Sequence, residues 1–215
     1  MNGPRSDAVP PSPDDAPSAS RRTAPGTSFF PDAAAPSARD LALARAVVEL
    51  EEYVALRGWD APVRVYALVR TAAALEADPS LSRFLDAQAV SDAAEDPELL
   101  TTIEQENLPE AVDLEDLVAQ LAWPETVDGV ALSVERSVLP PAAEADAAAL
   151  EDPTERMAYL SSRTDREDVR MVVGVLRTGE SWCALRARSR DEDSRVAQGS
   201  RLVPGLVDAL DSTLA

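Results

Sequence analysis

Between Arg39 and Arg57 the apolar positions Leu43, Val47, Leu50 and Val54 fall at i, i+4, i+7 and i+11, which places them on one stripe of a helix. Ser37 with Asp40 supplies a cap at its start, and Gly58 stands just past its end. After Trp59-Asp60 and Pro62 the period changes. Val63 to Val69 is rich in β-formers and predicts a strand. Thr71 then reads as the cap of a short helix that stops before Pro79, followed by a second short helix carrying Leu81, Phe84 and Leu85. Gln88 to Glu98 is polar and reads as a loop. Asp113 caps a helix with Leu114, Leu117, Val118 and Leu121 on one face, ending near Trp123 because Pro124 disfavours helical backbone just before it.

Alternation returns over Val130 to Val138, where Val130, Leu132 and Val134 interleave with Ala131, Ser133 and Glu135 to give another strand. Pro140-Pro141 breaks it, an alanine-rich acidic stretch follows, and Asp152-Pro153 opens a further helix. The best hairpin signal is the pair of runs Val169–Leu176 and Ser181–Arg188, joined by Arg177-Thr178-Gly179-Glu180. An amphipathic helix begins near Val203-Pro204 and uses Leu206, Val207, Leu210 and Leu214. Helices at both ends of a hairpin-bearing run of strands predict a single α+β domain over 38–215, an antiparallel sheet of about four strands flanked by helices.

Before residue 38 this patterning vanishes. Eight of the seventeen prolines lie there, and the only sizeable apolar side chains are Met1, Val9, Phe29 and Phe30. So little apolar surface does not offset the entropy of ordering a chain, and residues 1–37 are expected to form a disordered tail. No apolar run follows the early arginine, so the segment does not read as a signal peptide.

Composition matters mainly through what is missing. All 20 basic residues are arginine, with no lysine and no histidine. That removes Schiff-base and phosphate-loop lysines, histidine general bases and histidine metal ligands. The net charge of −19 opposes direct binding to nucleic acid or to anionic lipid. No stretch approaches the roughly 20 apolar residues of a membrane span. The single cysteine, Cys183, allows no internal disulfide and fits a reducing compartment, so a cytoplasmic location is expected. Charge is also segregated: fourteen acids and no base lie between Phe84 and Glu135, whereas Arg156–Arg201 holds ten arginines against seven acids.

Two constellations could carry chemistry. If Arg177 pairs with Glu180 in the hairpin, Glu167 faces Arg190, Arg166 faces Asp191 and Asp165 faces Glu192. Asp165, Glu167, Asp168, Asp191 and Asp193 then form an acidic rim, either a set of cross-strand ion pairs or hard oxygens for Mg²⁺ or Ca²⁺. On the second hairpin strand, Trp182, Arg186, Arg188 and Arg190 share a face with Ala184, opposite Cys183, Leu185 and Ala187. That face could grip carboxylates, phosphates or an acidic peptide, or be a solvated arginine ladder stacked on Trp182. Cys183 has apolar alternate neighbours and no histidine to activate it, and reads as an inert buried thiol. Glu104 and Glu106, taken as helical, face apart at i and i+2 and form no acid–base pair. Trp59, Trp123 and Trp182 read as packing residues. With no Gly-rich phosphate loop, nucleophile elbow or Ser-x-x-Lys pattern, no catalytic residue and no cofactor is assigned.

Several strings occur in a telling order: Arg57-Gly58-Trp59-Asp60, Glu104-Gln105-Glu106, Ala122-Trp123-Pro124, Gly129-Val130-Ala131-Leu132, Glu135-Arg136, Asp165 to Arg170, Val173 to Leu176, Cys183-Ala184-Leu185-Arg186 and Leu202 to Leu206. Together they resemble an uncharacterised family of small acidic actinobacterial proteins, from about residue 38 to the C-terminus. The resemblance fits a cytoplasmic protein and supplies no activity or site. The expected function is a non-catalytic protein-binding or regulatory module, its partner another protein, engaged through the arginine face or an apolar groove. The alternatives are a small carboxylate- or Mg²⁺-dependent enzyme at the acidic rim, and an acidic decoy of a nucleic-acid-binding protein.

Overall fold

Helix α1 (Ala38–Ala55) starts where its cap places it. The Asp40 N–H donates to Ser37 Oγ at 3.1 Å and the Ser37 N–H donates to the Asp40 carboxylate at 2.9 Å, a reciprocal capping box. Leu43, Val47, Leu50 and Val54 are all buried. The computed structural model describes residues 35–215; the tail expected over 1–37 falls, for residues 1–34, outside the described residues.

The sheet is antiparallel as expected but has, among the described residues, six strands rather than about four. They are β1 (Arg64–Arg70), β2 (Leu100–Glu104), β3 (Gly129–Val138), β4 (Glu167–Leu176), β5 (Ser181–Ala187) and β6 (Ala197–Gly199), in the order β2-β1-β3-β4-β5-β6. The two additions are the edges. Each is short and half exposed, so neither carries the apolar alternation that marks an inner strand.

Helices correct the reading in several places. Thr71 does not cap α2 (Thr71–Ala77) but is its first residue, and its hydroxyl ties to Leu99 O and to Thr101 Oγ1 at 2.8 Å. The polar run after Gln88 is largely helical: α3 (Ala87–Glu95) is capped by Asp86, which accepts from the Ala89 N–H at 2.6 Å. Its alanines favour helix intrinsically, but only Ala93 is buried, so no stripe announces it. Leu81 and Phe84 belong to a 3₁₀ turn at Pro79–Arg83 and its end, not to an α-helix. The remaining helices are α4 (Leu114–Ala119), α5 (Pro141–Ala148), α6 (Pro153–Ser162) and α7 (Pro204–Ser212). Asp113 caps α4 and Asp152 caps α6, as read from the sequence.

Alternation of side chains splits the core into two layers. Tyr66, Leu68, Ala131, Val172 and Ala184 face α1. Val65, Val130, Leu132, Val134, Val173, Val175 and Cys183 face the other way, onto α4, α7 and Trp123. At Gly129 the strands approach so closely that a Cβ would lie 2.3 Å from the Val175 carbonyl oxygen.

The hairpin register is one residue off the expected one. Val175 pairs with Ser181 and Val169 with Ala187. Gly179 N–H donates to Leu176 O and Leu176 N–H to Glu180 O, both at 2.9 Å, which makes a three-residue loop with Gly179 at φ +98°. Glu167 therefore meets Ser189 rather than Arg190: it accepts from the Ser189 N–H at 3.0 Å and from its hydroxyl. Among the described residues no helix is long and apolar enough to cross a membrane.

Candidate functional site

Of the three arginines nominated from the sequence only Arg186 lies buried beneath α1, where Arg170 joins it. Arg186, on β5 beside Ala184, is 3% exposed because its face of the sheet lies under α1. Its Nε and Nη2 donate to the two oxygens of Glu51, each at 2.7 Å. Nη1 reaches Asp191 at 3.2 Å and Nη2 reaches Asp193 at 2.8 Å. The carboxylates, Glu51 foremost, raise the guanidinium pKa against the opposing effect of burial. Glu51 itself is 1% exposed, and Arg170 Nη1 lies 4.0 Å from its other side.

Arg170, on β4 across from Arg186, is the largest fully buried side chain. Its Nε and Nη2 donate to Glu135 at 3.2 and 3.0 Å, and Nη2 also donates to the Gly58 carbonyl. Trp59 lies over it, 4.4 Å from guanidinium carbon to ring centroid, with Arg188 5.4 Å from the same ring. Trp59 Nε1 donates to Asp191 at 2.9 Å, which, with Arg186, holds that carboxyl below its ordinary range. The strand ends at Ala187, so Arg188 and Arg190 occupy a 3₁₀ turn and no three-arginine ladder forms. Arg188 instead grips Asp60 through two bonds of 2.9 Å and lowers its pKa, while Asp60 N–H donates to Glu135 at 2.7 Å. Arg190 is exposed and makes no ion pair among the described residues.

The acidic-rim residues are spread over separate partners. Asp165 is held by Arg163, Glu167 by Ser189, Asp168 by Ser137 and, at 3.6 Å, Arg188. Asp191 and Asp193 belong to Arg186. The Arg163 and Ser189 hydrogen bonds hold Asp165 and Glu167, respectively, below their usual carboxylate ranges. Among the described residues no group of three or more acids or cysteine could hold a metal ion. Trp182 packs on the α1 core with a buried Nε1 that meets no acceptor among the described residues, and Cys183 is buried on the opposite face.

Chemically, this cluster is a closed electrostatic clamp. Arg186 already uses its fork on three carboxylates, so an incoming anion would have to displace one of them, buried Glu51 or the more exposed Asp191 and Asp193. Sequence reading found Arg186 but missed Arg170 and Glu51, although the signal for Glu51 was present: it lies four residues after Val47, on the apolar stripe itself.

Open concave surface lies elsewhere. On the face of β1 and β2 turned from α1, Val69, Thr101 and Ile103 floor a cavity of about 190 Å³ walled by Leu81, Phe84 and Leu85. Val69, Ala74, Leu81 and Ile103 continue it into a second cavity of about 590 Å³, bounded by the Trp123–Asp128 loop. Ile103 and Phe84 are 47% and 80% exposed. Arg177 fixes the loop wall by donating to the carbonyls of Val127, Trp123 and Pro124 at 2.8–3.1 Å. Asp78 and Glu125, which line this trough, are exposed and make no ion pair among the described residues. A separate apolar groove of about 540 Å³ runs between α4 and α7, where the lining charges Glu115 and Arg136 pair with each other at 3.5 Å. Glu104, read as helical, is in fact the end of β2 and pairs with Arg64.

No curated protein and no solved structure matches the chain. The family model described as PPA1309-like protein matches residues 43–215, a span that takes in α1 from Leu43 onward, the whole sheet and every member of the clamp. The chain therefore belongs to the PPA1309-like protein family, a family of unknown function.

Proposed function

We propose that this chain is a non-catalytic protein-binding module whose partner presents apolar side chains flanked by basic ones. The observation that carries this reading is the trough on β1 and β2: exposed apolar side chains at Ile103 and Phe84, edged by Asp78 and Glu125, which have no arginine partners among the described residues. The wider charge map points the same way. Of the fourteen acids between Phe84 and Glu135, six make ion pairs with arginine, namely Asp96, Glu98, Glu104, Glu115, Asp128 and Glu135, and eight make none among the described residues. Such a field steers a basic partner and repels a second acidic one. The clamp around Arg186 supports the reading by accounting for the buried charges as internal structure.

The test is affinity capture with the full chain under reducing conditions, at low and high salt, against an Ile103→Asp/Phe84→Ser variant of unchanged circular dichroism. The expected result is a protein retained at low salt, released at high salt and lost with the variant. Identical capture by both forms, or no retained protein even after cross-linking, overturns the reading.

A further inference from the structure

The trough ends at an unprotected sheet edge, and its backbone phase is fixed. Gln105 N–H donates to Val65 O at 2.8 Å and Thr71 N–H donates to Leu99 O at 2.9 Å, at the two ends of the β1–β2 ladder. In an antiparallel pair the hydrogen-bonding residues alternate. Residues 99, 101, 103 and 105 therefore direct their backbone groups at β1, and Leu100, Thr102 and Glu104 direct theirs outward. Among the described residues no other strand lies beyond β2.

Natural sheets blunt such edges with proline, lysine, bulges or extreme shortness. The opposite edge conforms, since β6 is three residues long and ends at Gly199 against Leu202. β2 has none of these devices. Its sequence Leu-Thr-Thr-Ile-Glu holds no proline or basic residue, its register runs unbroken from Leu100 to Glu104, and Ile103 is half exposed.

Resting on the protein-binding reading, we propose that β2 is a strand-addition site for an extended segment of the partner in which apolar residues alternate with lysine or arginine. Leu100, Thr102 and Glu104 supply the backbone ladder. The cavity of about 190 Å³ beside Ile103 and Phe84 receives an apolar side chain of the added strand. Basic side chains of that strand alternate to the opposite face, where Glu104 ends β2 and Glu106 follows it. Charge excludes the symmetrical alternative: a second copy on this edge would bring the same unpaired acids together. The α4–α7 groove has no matching selectivity, because its lining charges already satisfy each other.

Thr102 gives a clean test, since proline there removes an outward N–H and leaves the β1 ladder intact. The probe is an end-capped peptide of alternating valine and lysine, titrated at low salt into the full chain, Thr102→Pro and Thr102→Val, with circular dichroism checking each fold. The expected result is binding by the wild type and Thr102→Val, at least tenfold weaker binding by Thr102→Pro, and slowed amide exchange at Thr102 and Glu104 on peptide addition. Equal binding by all three forms overturns strand addition and leaves the protein-binding reading standing. No binding by the wild type overturns the strand-addition site, and edge amides already protected by a dimer in the peptide-free chain do the same.

Discussion

Glu51 is the residue on which the clamp turns. It sits on the buried stripe of α1 with both oxygens taken by Arg186 and a second guanidinium, that of Arg170, at 4.0 Å. Removing one member of such a group leaves charge buried without compensation, whereas replacing the whole group by apolar side chains need not destabilise at all. Glu51→Ala is therefore expected to cost about 3–5 kcal/mol, a large share of the stability of roughly 5–15 kcal/mol that a domain of this kind has. Urea unfolding measures it. The triple replacement Glu51→Leu/Arg170→Met/Arg186→Met should recover most of the loss, and a Glu51→Ala midpoint equal to wild type would remove the clamp from the stability argument. The exposed Arg190 is the control, since Arg190→Ala should stay within about 0.5 kcal/mol of wild type. At the rim, each nominated carboxylate already has a protein donor, so Mg²⁺ or Ca²⁺ should produce no thermal shift. A saturable shift abolished by Asp191→Asn would restore a metal site.

Among the elements, those carrying a period of buried apolar residues were legible and those without one were not. α1, β3 and the β4–β5 hairpin declare themselves through stripes and alternation that end up buried. α3 buries one alanine, and β2 and β6 are short edges, so their existence depends on neighbours far along the chain. The candidate site followed the same rule. Trp182 and Arg186 do share a face, but no local pattern says that α1 covers it, so an open ladder was read where a closed core exists. The proposed docking edge was missed altogether, because its strand was. The one-residue error in the hairpin came from assuming a two-residue loop. Gly179 at φ +98° is the third residue of that loop, a conformation in which a Cβ costs about 1–2 kcal/mol. Gly179→Ala should lower stability by about that amount, whereas Gly179→Asn, which tolerates this region better, should lose less. Equal losses for both would argue that the loop has another conformation in solution. Gly129→Ala should be worse than either, since its obstacle is the Val175 backbone rather than a side chain free to move.

At the scale of the molecule, charge and the absence of histidine set the response to pH. The chain carries 39 acids and 20 arginines, so nearly all described titration in the acid range comes from carboxylates. Several are bound in ways that lower their pKa on folding: Asp60 by Arg188, Asp191 by Trp59 and then Arg186, Asp165 by Arg163, and Glu167 by Ser189. A group with a depressed folded pKa contributes its full stabilisation above the unfolded value and loses it as pH falls through the folded one. The melting temperature should therefore be flat from about pH 7 to 5.5 and fall steeply below about pH 4 as the bound carboxylates protonate. Asp191→Asn should start from a lower plateau and fall less steeply, because the replaced group no longer takes up a proton on unfolding. A transition centred near pH 6.5 would contradict this account, since no side chain in the sequence has its ordinary pKa there.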